Sequence, residues 1–291
     1  MARDVRPGLF VFARGVGAVG RQVRADILRR NMDLGLGDKL IVVTGGGAGI
    51  GAAISRACLA EGARVVVLAR RSANIEAFLD EQEGNPACRF VEAHLEDTAR
   101  CEAAIAEIEA AEGDIYGLVN NAGVNDGVGL GHGSVEAFVR SLEKNLVHNY
   151  ALARAALKGL KRTHGAIVNI SSKVALTGQG GTSGYAASKG AQLALTREWA
   201  AELARDNVRV NAVLPAEVMT PLYRRWLESL GDPEAELQRI EARIPLGHRM
   251  TLDAEIAAAV VFLLSPTQSG HTTGQHIVVD GGYTHLDRAL T

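Results

Sequence analysis

The sequence predicts an α/β protein built as a single-domain Rossmann fold, with a seven-stranded parallel sheet and helices on both faces. Short apolar runs alternate with longer helical stretches from about residue 39 onwards, and a glycine cluster follows the first apolar run. Strands buried on both faces of a sheet are apolar throughout, and their alternation with helices is typical of parallel βαβ units. No internal repeat or low-complexity linker interrupts the pattern, so one domain is expected.

Each predicted element has its own signal. The second strand contains three consecutive valines, the helix at 98–111 is rich in alanine, and glycines or polar residues follow most strands. The predicted strands are residues 40–44, 63–69, 89–93, 115–120, 166–171, 208–214 and 276–279. The predicted helices are residues 48–60, 98–111, 134–163, 183–205 and 252–264, with a polar helical stretch after 69 and helical segments within 221–242.

Composition and charge exclude several classes of protein. Of the 291 residues, 47% are apolar and 22% charged, and the net charge of −2 indicates neither a nucleic-acid nor a membrane partner. No apolar run is long enough to span a bilayer. The widely spaced Cys58, Cys88 and Cys101 predict no disulfide framework and no metal site. A reducing, cytoplasmic compartment fits this pattern.

Residues 1–31 differ in charge from the rest of the chain. They hold seven arginines and two aspartates, so their net charge is +5 and that of the remainder is −7. An arginine-rich leader can be a targeting peptide, but the apolar stretch at 8–13 is short for a signal peptide. We interpret 1–31 as an extension outside the fold, either an over-extended start or a loosely attached tail, and 32–291 as the domain.

A glycine-rich turn follows the first predicted strand. Residues 44–51 read TGGGAGIG. Gly45 permits a sharp turn, Gly49 leaves room for backbone to approach a pyrophosphate, and Gly51 lets the next helix pack closely on the sheet. The N-terminus of that helix offers N–H groups and a positive dipole end to phosphates. Thr44, Gly45, Gly49, Ile50 and Gly51 are therefore predicted to bind a dinucleotide.

The end of the second strand indicates which dinucleotide binds. A carboxylate there would bind the ribose hydroxyls and repel a 2′-phosphate, whereas an arginine would accept the phosphate. The sequence has Ala69 at this position and Arg70 after it. We expect NADP to be preferred, with NAD as the alternative cofactor. The competing interpretation is that Arg70 and Arg71 are simply solvated at the strand exit.

Two later segments are expected to complete the cofactor site. Residues 120–123 read NNAG, where Asn121 can tie neighbouring strand ends together and Gly123 leaves room beside the cofactor. Residues 215–221 read PAEVMTP, where the Val218 backbone and the Thr220 hydroxyl can meet the nicotinamide carboxamide. Both segments follow strands, and open parallel sheets bind ligands at the carboxyl ends of their strands.

Four residues form a candidate catalytic site. Tyr185 and Lys189 lie four positions apart on a predicted helix and so share a face. A nearby ammonium stabilises a phenolate, so Lys189 is expected to lower the pKa of Tyr185. Ser172, at a strand end, can stabilise charge on the substrate oxygen. Asn145 lies within a predicted helix, where asparagine is unfavourable, and can hold a water that relays protons to Lys189.

Together these residues resemble the short-chain dehydrogenase/reductase family. The matching motifs are TGGGAGIG, NNAG, Asn145, Ser172, YAASK at 185–189 and PAEVMTP, in the family's order, across about residues 39–282. The resemblance implies that Asn145, Ser172, Tyr185 and Lys189 form the family's catalytic tetrad. It also implies a homotetramer.

Two positions depart from the family's pattern. Ala216 follows Pro215 where the family usually has glycine, which stiffens that loop slightly. His94 replaces an acidic residue often found near the adenine. The Leu95 backbone is still expected to cradle the adenine ring.

Finer details are similar to bacterial L-fucose dehydrogenases, a sugar-oxidising branch of this family. The segments are GVNDGVGL at 123–130, SSKVALTGQGGTSGY at 171–185, LTREWA at 195–200, PAEVMTPLYRRW at 215–226 and DGGYTHLDRAL at 280–290. The resemblance implies oxidation of the anomeric carbon of L-fucose or a related aldose to the lactone. A sugar's hydroxyls need polar partners, and the candidates are Asn125, Asp126, Gln179 and Glu217. Each can equally be a loop cap or a solvated side chain.

Two other functions stay open on the sequence. One is a carbonyl reductase of the same family acting on an oxoacyl or ketosteroid substrate. The other is a non-catalytic NADP-sensing protein, which would be free to lose Tyr185 or Lys189. The amphipathic segment 221–244 is mainly a core stripe by its spacing, and as a functional hypothesis it forms a lid over the sugar.

Overall fold

A computed structural model describes residues 33–286 of the chain. Its strands are β1 (Leu40–Thr44), β2 (Arg64–Ala69), β3 (Cys88–Glu92), β4 (Gly117–Asn120), β5 (Ala166–Ile170), β6 (Arg209–Pro215) and β7 (His276–Val279). All pair in parallel within one sheet, in the order β3-β2-β1-β4-β5-β6-β7. The predicted seven-stranded parallel sheet is confirmed.

Helices connect the strands. They are α1 (Gly49–Ala60), α2 (Ala73–Glu81), α3 (Thr98–Glu112), α4 (Val135–Leu142), α5 (His148–Thr163), α6 (Ser183–Leu203), α7 (Pro221–Glu228), α8 (Pro233–Glu241) and α9 (Asp253–Leu264). Several begin at a side chain that accepts a backbone N–H, as the sequence favours at helix starts. These caps are Ser72, Asp97, Ser134, Thr220 and Asp232.

A hydrophobic core lies on each face of the sheet, because successive side chains of a strand point to opposite sides. In β1, Ile41 and Val43 pack with α1 and α9 on one face. Leu40 and Val42 pack with α3, α5 and α6 on the other face. The burial of both faces explains why the strands are apolar throughout, and it confirms the prediction of helices on both sides.

The order of the strands places the cleft. β1 pairs with β2 on one side and with β4 on the other. The chain therefore runs outward from β1 through β2 and β3 and then crosses back to continue with β4 on the opposite side. Such a reversal opens a crevice at the carboxyl ends of the strands, where ligands of open α/β sheets bind. The motifs at 44–51 and 120–123 lie at the two sides of this crevice.

The single helix predicted at 134–163 is wrong in one respect. A π-helical turn at Glu143–Val147 separates α4 from α5. Asn145 lies in this turn, where its Nδ2 donates to the Ser141 carbonyl at 2.9 Å and its Oδ1 accepts from the Val124 N–H at 2.7 Å. Side chains that bond backbone groups compete with regular helix, and π turns are frequent at functional sites.

The segment predicted as helical at 221–242 forms two short helices, α7 and α8. Leu227 and Ile240 are buried, whereas Leu222 and Trp226 are about half exposed. The apolar stripe is therefore only partly covered, and the lid stays a prediction. The interpretation of residues 1–31 falls outside the described residues and also stays a prediction. Among residues 33–286, no helix is long and apolar enough to cross a lipid bilayer.

Candidate active site

A large cleft lies at the carboxyl edge of the sheet. Its volume is about 1370 Å³, which exceeds the roughly 300–1,000 Å³ of common small-ligand pockets. The predicted residues that line it are Gly45, Gly49, Ile50, Gly51, Arg70, Leu95, Asn121, Gly123, Asn125, Ser172, Gln179, Tyr185, Lys189, Glu217, Val218 and Thr220. Thr44, Asp126 and Asn145 are not part of this lining. The cleft is large enough for a dinucleotide and a small substrate together.

The glycine-rich turn is shaped by close contacts. Gly45 and Gly49 have φ angles of +63° and +49°, which L side chains rarely adopt. A Cβ at Gly51 would clash with the Gly45 carbonyl oxygen and would lie 2.6 Å from Asn121 Nδ2. The close approach that requires Gly51 is therefore to the turn and the β4 loop, rather than to the sheet as predicted.

The N-terminus of α1 faces the cleft without a side-chain cap. Ala48 precedes the helix and offers no acceptor, and the first turn holds no acidic residue. Gly49, Ile50 and Gly51 of this turn line the cleft. Uncapped N–H groups and a positive dipole end favour an anion. The residues present therefore fit the pyrophosphate of a dinucleotide.

Thr44 and Asn121 tie the ends of β1 and β4 together. The Asn121 N–H donates to Thr44 Oγ1 at 2.9 Å, and Asn121 Nδ2 donates to the Thr44 carbonyl at 2.9 Å. The Ala122 N–H also donates to Thr44 Oγ1, at 3.0 Å. Thr44 is fully buried. It shapes the cofactor side of the cleft from behind rather than contacting a ligand.

The two arginines at the end of β2 differ in their partners. Arg71 pairs with Glu76 at 2.7 Å and with Glu92 at 3.6 Å. Arg70 is exposed, lines the cleft, and forms no ion pair or hydrogen bond with any residue between 33 and 286. Ala69 is buried at the strand end and brings no carboxylate. Arg70 is thus the guanidinium available to an additional phosphate.

The loops after β4 and β6 form the other half of the cofactor side. A Cβ at Gly123 would lie 3.0 Å from Asn145 Oδ1 and 3.3 Å from Lys189 Nζ, so glycine lets this loop pass close to both. The Thr220 hydroxyl accepts from the Tyr223 N–H at 3.1 Å and caps α7. Its own hydrogen is left to donate to a ligand. Both loops leave space beside Lys189.

The structure brings Tyr185, Ser172 and Lys189 together at the cleft. Tyr185 and Lys189 lie on α6, with Lys189 Nζ 5.5 Å from the centre of the Tyr185 ring. The Ser172 hydroxyl hydrogen-bonds Tyr185. Lys189 is 3% exposed, and its Nζ donates to the Ile170 carbonyl at 2.7 Å. A phenol, a hydroxyl and an ammonium thus meet where a substrate oxygen can be bound and deprotonated.

Burial dominates the acid–base properties of this trio. Burial raises the pKa of Tyr185, and its hydrogen bond with Ser172 opposes part of the increase. Burial lowers the pKa of Lys189 from 10.5 to about 7. The expected lowering of the Tyr185 pKa is therefore not met, because burial of the phenol itself disfavours the phenolate. With its pKa near 7, Lys189 can release a proton at neutral pH beside the Tyr185 phenol.

Lys189→Met is expected to raise the stability of the protein more at pH 6 than at pH 9. The lysine loses its proton near pH 7 in the folded protein, but only near pH ~10.4 when unfolded. Between these values the unfolded chain binds more protons, so wild-type stability rises with pH, and below pH 7 the buried ammonium opposes folding. The effect of the substitution on stability differs between the two pH values by about 3 kcal/mol, or roughly 6 °C in Tm, measurable by thermal denaturation without cofactor.

Neighbouring groups do not obscure this measurement. The pKa of Tyr185 is raised, and burial, with a smaller effect of the Lys189 charge, lowers the pKa of His148 to about 4. Lys158→Met removes an exposed lysine of α5 and is the matched control, with the same Tm change expected at both pH values. If Lys189→Met also changed Tm by the same amount at both pH values, the Lys189 ammonium would not be desolvated.

Three of the four predicted substrate contacts reach the cleft. Asn125 and Gln179 are exposed on its rim, and Glu217 is 8% exposed inside it. Asp126 is not among them, because its Oδ1 accepts from Ser141 Oγ at 2.8 Å. Asp126 anchors its loop to α4, which agrees with the alternative interpretation that it stabilises a loop.

The sequence did not single out Lys173 and Tyr283, which also line the cleft. Lys173 Nζ forms an ion pair with Glu217 Oε1, and these side chains are 13% and 10% exposed. The same Nζ lies 4.3 Å from the centre of the Tyr283 ring. Lys173 comes directly after Ser172, and Tyr283 follows β7. Their positions shortly after the ends of β5 and β7 are the sequence signal from which both could have been predicted.

Metal and thiol chemistry find little support in the part of the chain that is described. There, no group of three or more His, Cys, Asp or Glu side chains is placed to hold a metal ion. Burial raises the pKa of Cys58 to about 12 and that of Cys101 to about 11. Both cysteines are therefore thiols packed in the protein rather than thiolates at neutral pH.

Comparison with known proteins decides the family. A family model described as enoyl-(acyl carrier protein) reductase, which represents short-chain dehydrogenases/reductases, matches residues 45–284. This chain belongs to the short-chain dehydrogenase/reductase family. As a short-chain dehydrogenase/reductase, it is an NAD(P)-dependent oxidoreductase. The cleft and the glycine-rich turn described above are consistent with that assignment.

Individual relatives are similar over most of their length. The L-fucose dehydrogenase of Mus musculus is 37% identical over 245 residues, which cover 84% of this chain and 88% of the relative. The 2-(S)-hydroxypropyl-CoM dehydrogenase 3 of Xanthobacter autotrophicus (strain ATCC BAA-1158 / Py2) is 39% identical over 264 residues, covering 86% and 98%. The crystal structure of Cj0485 dehydrogenase is 43% identical, with a TM-score of 0.85, over 89% of this chain and 99% of that one.

Proposed function

We propose that this short-chain dehydrogenase/reductase oxidises the anomeric carbon of L-fucose or a related aldose to the lactone, with hydride transfer to a nicotinamide. The observation that carries the proposal is a buried polar cluster, Lys173 with Glu217, beside the Ser172 hydroxyl in the cleft. Similarity to the mouse L-fucose dehydrogenase supports it independently. A buried ion pair next to the reacting position suits a substrate that brings several hydroxyls of its own.

The roles of the site residues follow from their contacts. NADP or NAD supplies the hydride acceptor when bound. Ser172 holds the anomeric hydroxyl, and the Tyr185 hydroxyl, to which Ser172 is bonded, takes its proton. Lys189 shares that proton with Tyr185, and Asn145 fixes the loop that carries Val124 beside them. The loss of the proton makes the carbon a better hydride donor.

We propose NADP as the preferred cofactor. Arg70 is the support, because its guanidinium faces the cleft and no carboxylate among residues 33–286 pairs with it. Arginine binds phosphate through strong, charge-assisted hydrogen bonds. Ala69 offers no carboxylate to repel a 2′-phosphate. NAD is the second cofactor in this proposal.

The substrate end of the cleft combines polar and aromatic groups. Glu217 Oε1 accepts from Lys173, whereas Oε2 accepts no hydrogen bond from the described residues and is left for a ligand hydroxyl. Tyr283 and Trp226 line the same region and offer apolar ring faces. Sugars present both hydroxyls and C–H faces, so this combination supports an aldose rather than a steroid.

Glu217→Gln is expected to raise KM for L-fucose about 10-fold or more, because a hydrogen bond to a charged group contributes roughly 1.5–3 kcal/mol. The Kd for NADP should change little. Since the single change removes the carboxylate that faces the Lys173 ammonium, Lys173→Met/Glu217→Gln removes both charges and tests the same contact in a neutral background. Glu228→Gln, on the exposed side of α7, is the control. An unchanged KM in both cleft variants would remove Glu217 from substrate binding.

A second candidate is a carbonyl reductase acting on an oxoacyl group with an anionic carrier. Arg225 and Arg243 line the outer cleft, are exposed, and form no salt bridge with residues 33–286. Two free guanidinium groups suit phosphates or a sulfonate. The Xanthobacter relative is named for a hydroxypropyl-CoM substrate, which also favours this candidate.

A substrate and cofactor screen tests the proposal. L-fucose, L-galactose and D-arabinose are offered with NADP and with NAD, and acetoacetyl-CoA and a ketosteroid with NADPH, while nicotinamide absorbance is followed. Turnover highest with L-fucose or its stereochemical relatives is expected. Turnover with acetoacetyl-CoA or the ketosteroid alone would replace the first candidate with the reductase. Tight NADP binding without any turnover would leave only an NADP-sensing role.

A homotetramer and a cytoplasmic location are part of the same proposal. Val135, Val139, Val147 and Tyr150 expose apolar surface along α4, the π turn and α5. Exposed apolar surface of this kind supports association with further copies of the chain.

A further inference from the structure

Gln192 is a buried amide that packs against two of the proposed catalytic residues. It lies on α6 three positions after Lys189, which places both side chains on the same face of the helix. Its side chain is 1% exposed. A buried amide needs partners for its oxygen and its NH₂ group, because an unpaired buried polar group is costly.

Both ends of the amide meet those needs within the site. Lys189 Nζ donates to Gln192 Oε1 at 3.4 Å, and Gln192 Nε2 donates to the Asn145 carbonyl at 3.1 Å. This orientation is the only satisfactory one, since the reverse would face NH₂ with an ammonium and oxygen with a carbonyl. Gln192 therefore joins the π turn to the lysine on α6.

A chain of buried polar groups leads to the main-chain carbonyl of Gln192. Thr196 Oγ1 donates to the Gln192 carbonyl at 2.7 Å, and Asn169 Nδ2 donates to Thr196 Oγ1 at 2.9 Å. Asn120 Nδ2 in turn donates to Asn169 Oδ1 at 2.9 Å. The network runs from the ends of β4 and β5 to α6. The network therefore ties the main chain of α6 at Gln192 to the sheet, whereas the amide itself is held by Lys189 and Asn145.

We propose that Gln192 is a positioning residue of the reaction, bridging the Asn145 carbonyl to Lys189 Nζ and holding the ammonium beside Tyr185. The bridge uses the Asn145 carbonyl as an acceptor, and the water expected at Asn145 from the sequence stays a prediction. An amide bridge fixes the geometry and charge of Lys189 and moves no proton itself. This proposal rests on the roles of Tyr185 and Lys189 under the proposed function.

Three variants separate this role from a purely structural one. Gln192→Leu removes both bonds, Gln192→Asn keeps an amide too short to span both partners, and Gln192→Glu keeps the acceptor for the ammonium but adds a negative charge. The titratable groups that face Lys189 in residues 33–286 are Tyr185 on α6 and His148 on α5. The midpoint of kcat against pH reports the first proton released by the Tyr185–Lys189 pair.

Opposite shifts of that midpoint are the expected result. Loss of the Gln192 acceptor disfavours the protonated pair, so Gln192→Leu and Gln192→Asn should move the midpoint down by about half a pH unit. The carboxylate of Gln192→Glu should move it up by about one unit. In the Leu and Asn variants kcat should fall about 10-fold, with KM for L-fucose and Kd for NADP unchanged.

The measurement uses L-fucose with NADP, or acetoacetyl-CoA with NADPH if the screen favours the reductase. The midpoint should shift with the same sign whether the enzyme oxidises or reduces its substrate, because the same Tyr185–Lys189 pair titrates in both reactions. Thr163→Val, which removes a part-buried hydroxyl at the end of α5 that donates to the Gly159 carbonyl outside the cleft, is the control and should leave kcat and its midpoint unchanged. If Gln192→Leu does not fold, the Asn and Glu variants decide.

Two results would have different meanings. If the midpoint of kcat against pH in every Gln192 variant equals that of wild type, while Tyr185→Phe is inactive, the positioning role is overturned and the proposed function is left intact. An active Tyr185→Phe would overturn the proposed function itself, whatever the Gln192 variants do.

Discussion

Tyr185→Phe is expected to lower kcat by about 10³-fold or more while NADP binding stays within about twofold of wild type. The change removes one oxygen, and with it the group that takes the proton from the substrate hydroxyl. The ring and its packing on α6 are kept, and Lys189 and Ser172 are untouched, so the loss reports the proton transfer. Stopped-flow or steady-state turnover with L-fucose gives kcat, and fluorescence titration gives the Kd for NADP.

Tyr150→Phe is the matched control for this change. Tyr150 is 57% exposed on α5, outside the cleft, and its ring lies 6.5 Å from that of Trp199. Its turnover should equal that of wild type. Full activity in Tyr185→Phe would exclude Tyr185 as the general base, and a loss of NADP binding in parallel with kcat would point to a damaged cleft instead.

Arg70→Ala is expected to weaken NADP binding by about 10- to 100-fold, and NAD binding by much less. A hydrogen bond to a charged group contributes roughly 1.5–3 kcal/mol, and within the described part of the chain no carboxylate pairs with Arg70 and competes with the 2′-phosphate. The ratio of kcat/KM for the two cofactors measures the effect. It should fall by the same factor as NADP affinity, because only one cofactor carries the additional phosphate.

Two further variants sharpen the cofactor test. Arg71→Ala should change the ratio less, because Arg71 is already held by Glu76 and Glu92. Ala69→Asp places a carboxylate at the end of β2 and should favour NAD by binding the ribose hydroxyls. Equal losses for NADP and NAD in Arg70→Ala would refute contact with the 2′-phosphate.

Local patterns in the chain predicted most of the fold and much of the candidate site. Apolar runs predicted the strands because a strand buried on both faces must be apolar, and glycines marked the cofactor turn because positive φ and close backbone contacts exclude a Cβ. The spacing of Tyr185 and Lys189 predicted a shared helix face. The break at Glu143–Val147 was missed, because one of the two partners of the Asn145 side chain there, the Val124 N–H, lies 21 positions away on a loop.

Partners distant in sequence were the main omission. Gln192 bonds Asn145 across 47 positions, and Lys173 bonds Glu217 across 44, so no local pattern connects them. The expected pKa of Tyr185 failed for a related reason. The spacing showed that an ammonium was near, but only the folded surroundings showed that this ammonium is desolvated.

The sequence by itself determined the parallel sheet, the glycine turn at its crevice and the meeting of a tyrosine with a lysine on one helix. These follow from periodicity and backbone geometry, which act between residues close together in the chain. Only the tertiary structure decided which arginine at the end of β2 has no partner among residues 33–286, which carboxylate lines the cleft and which amide bonds the lysine. Burial and electrostatic pairing depend on surroundings assembled from several strands at once, and no short stretch of sequence contains them.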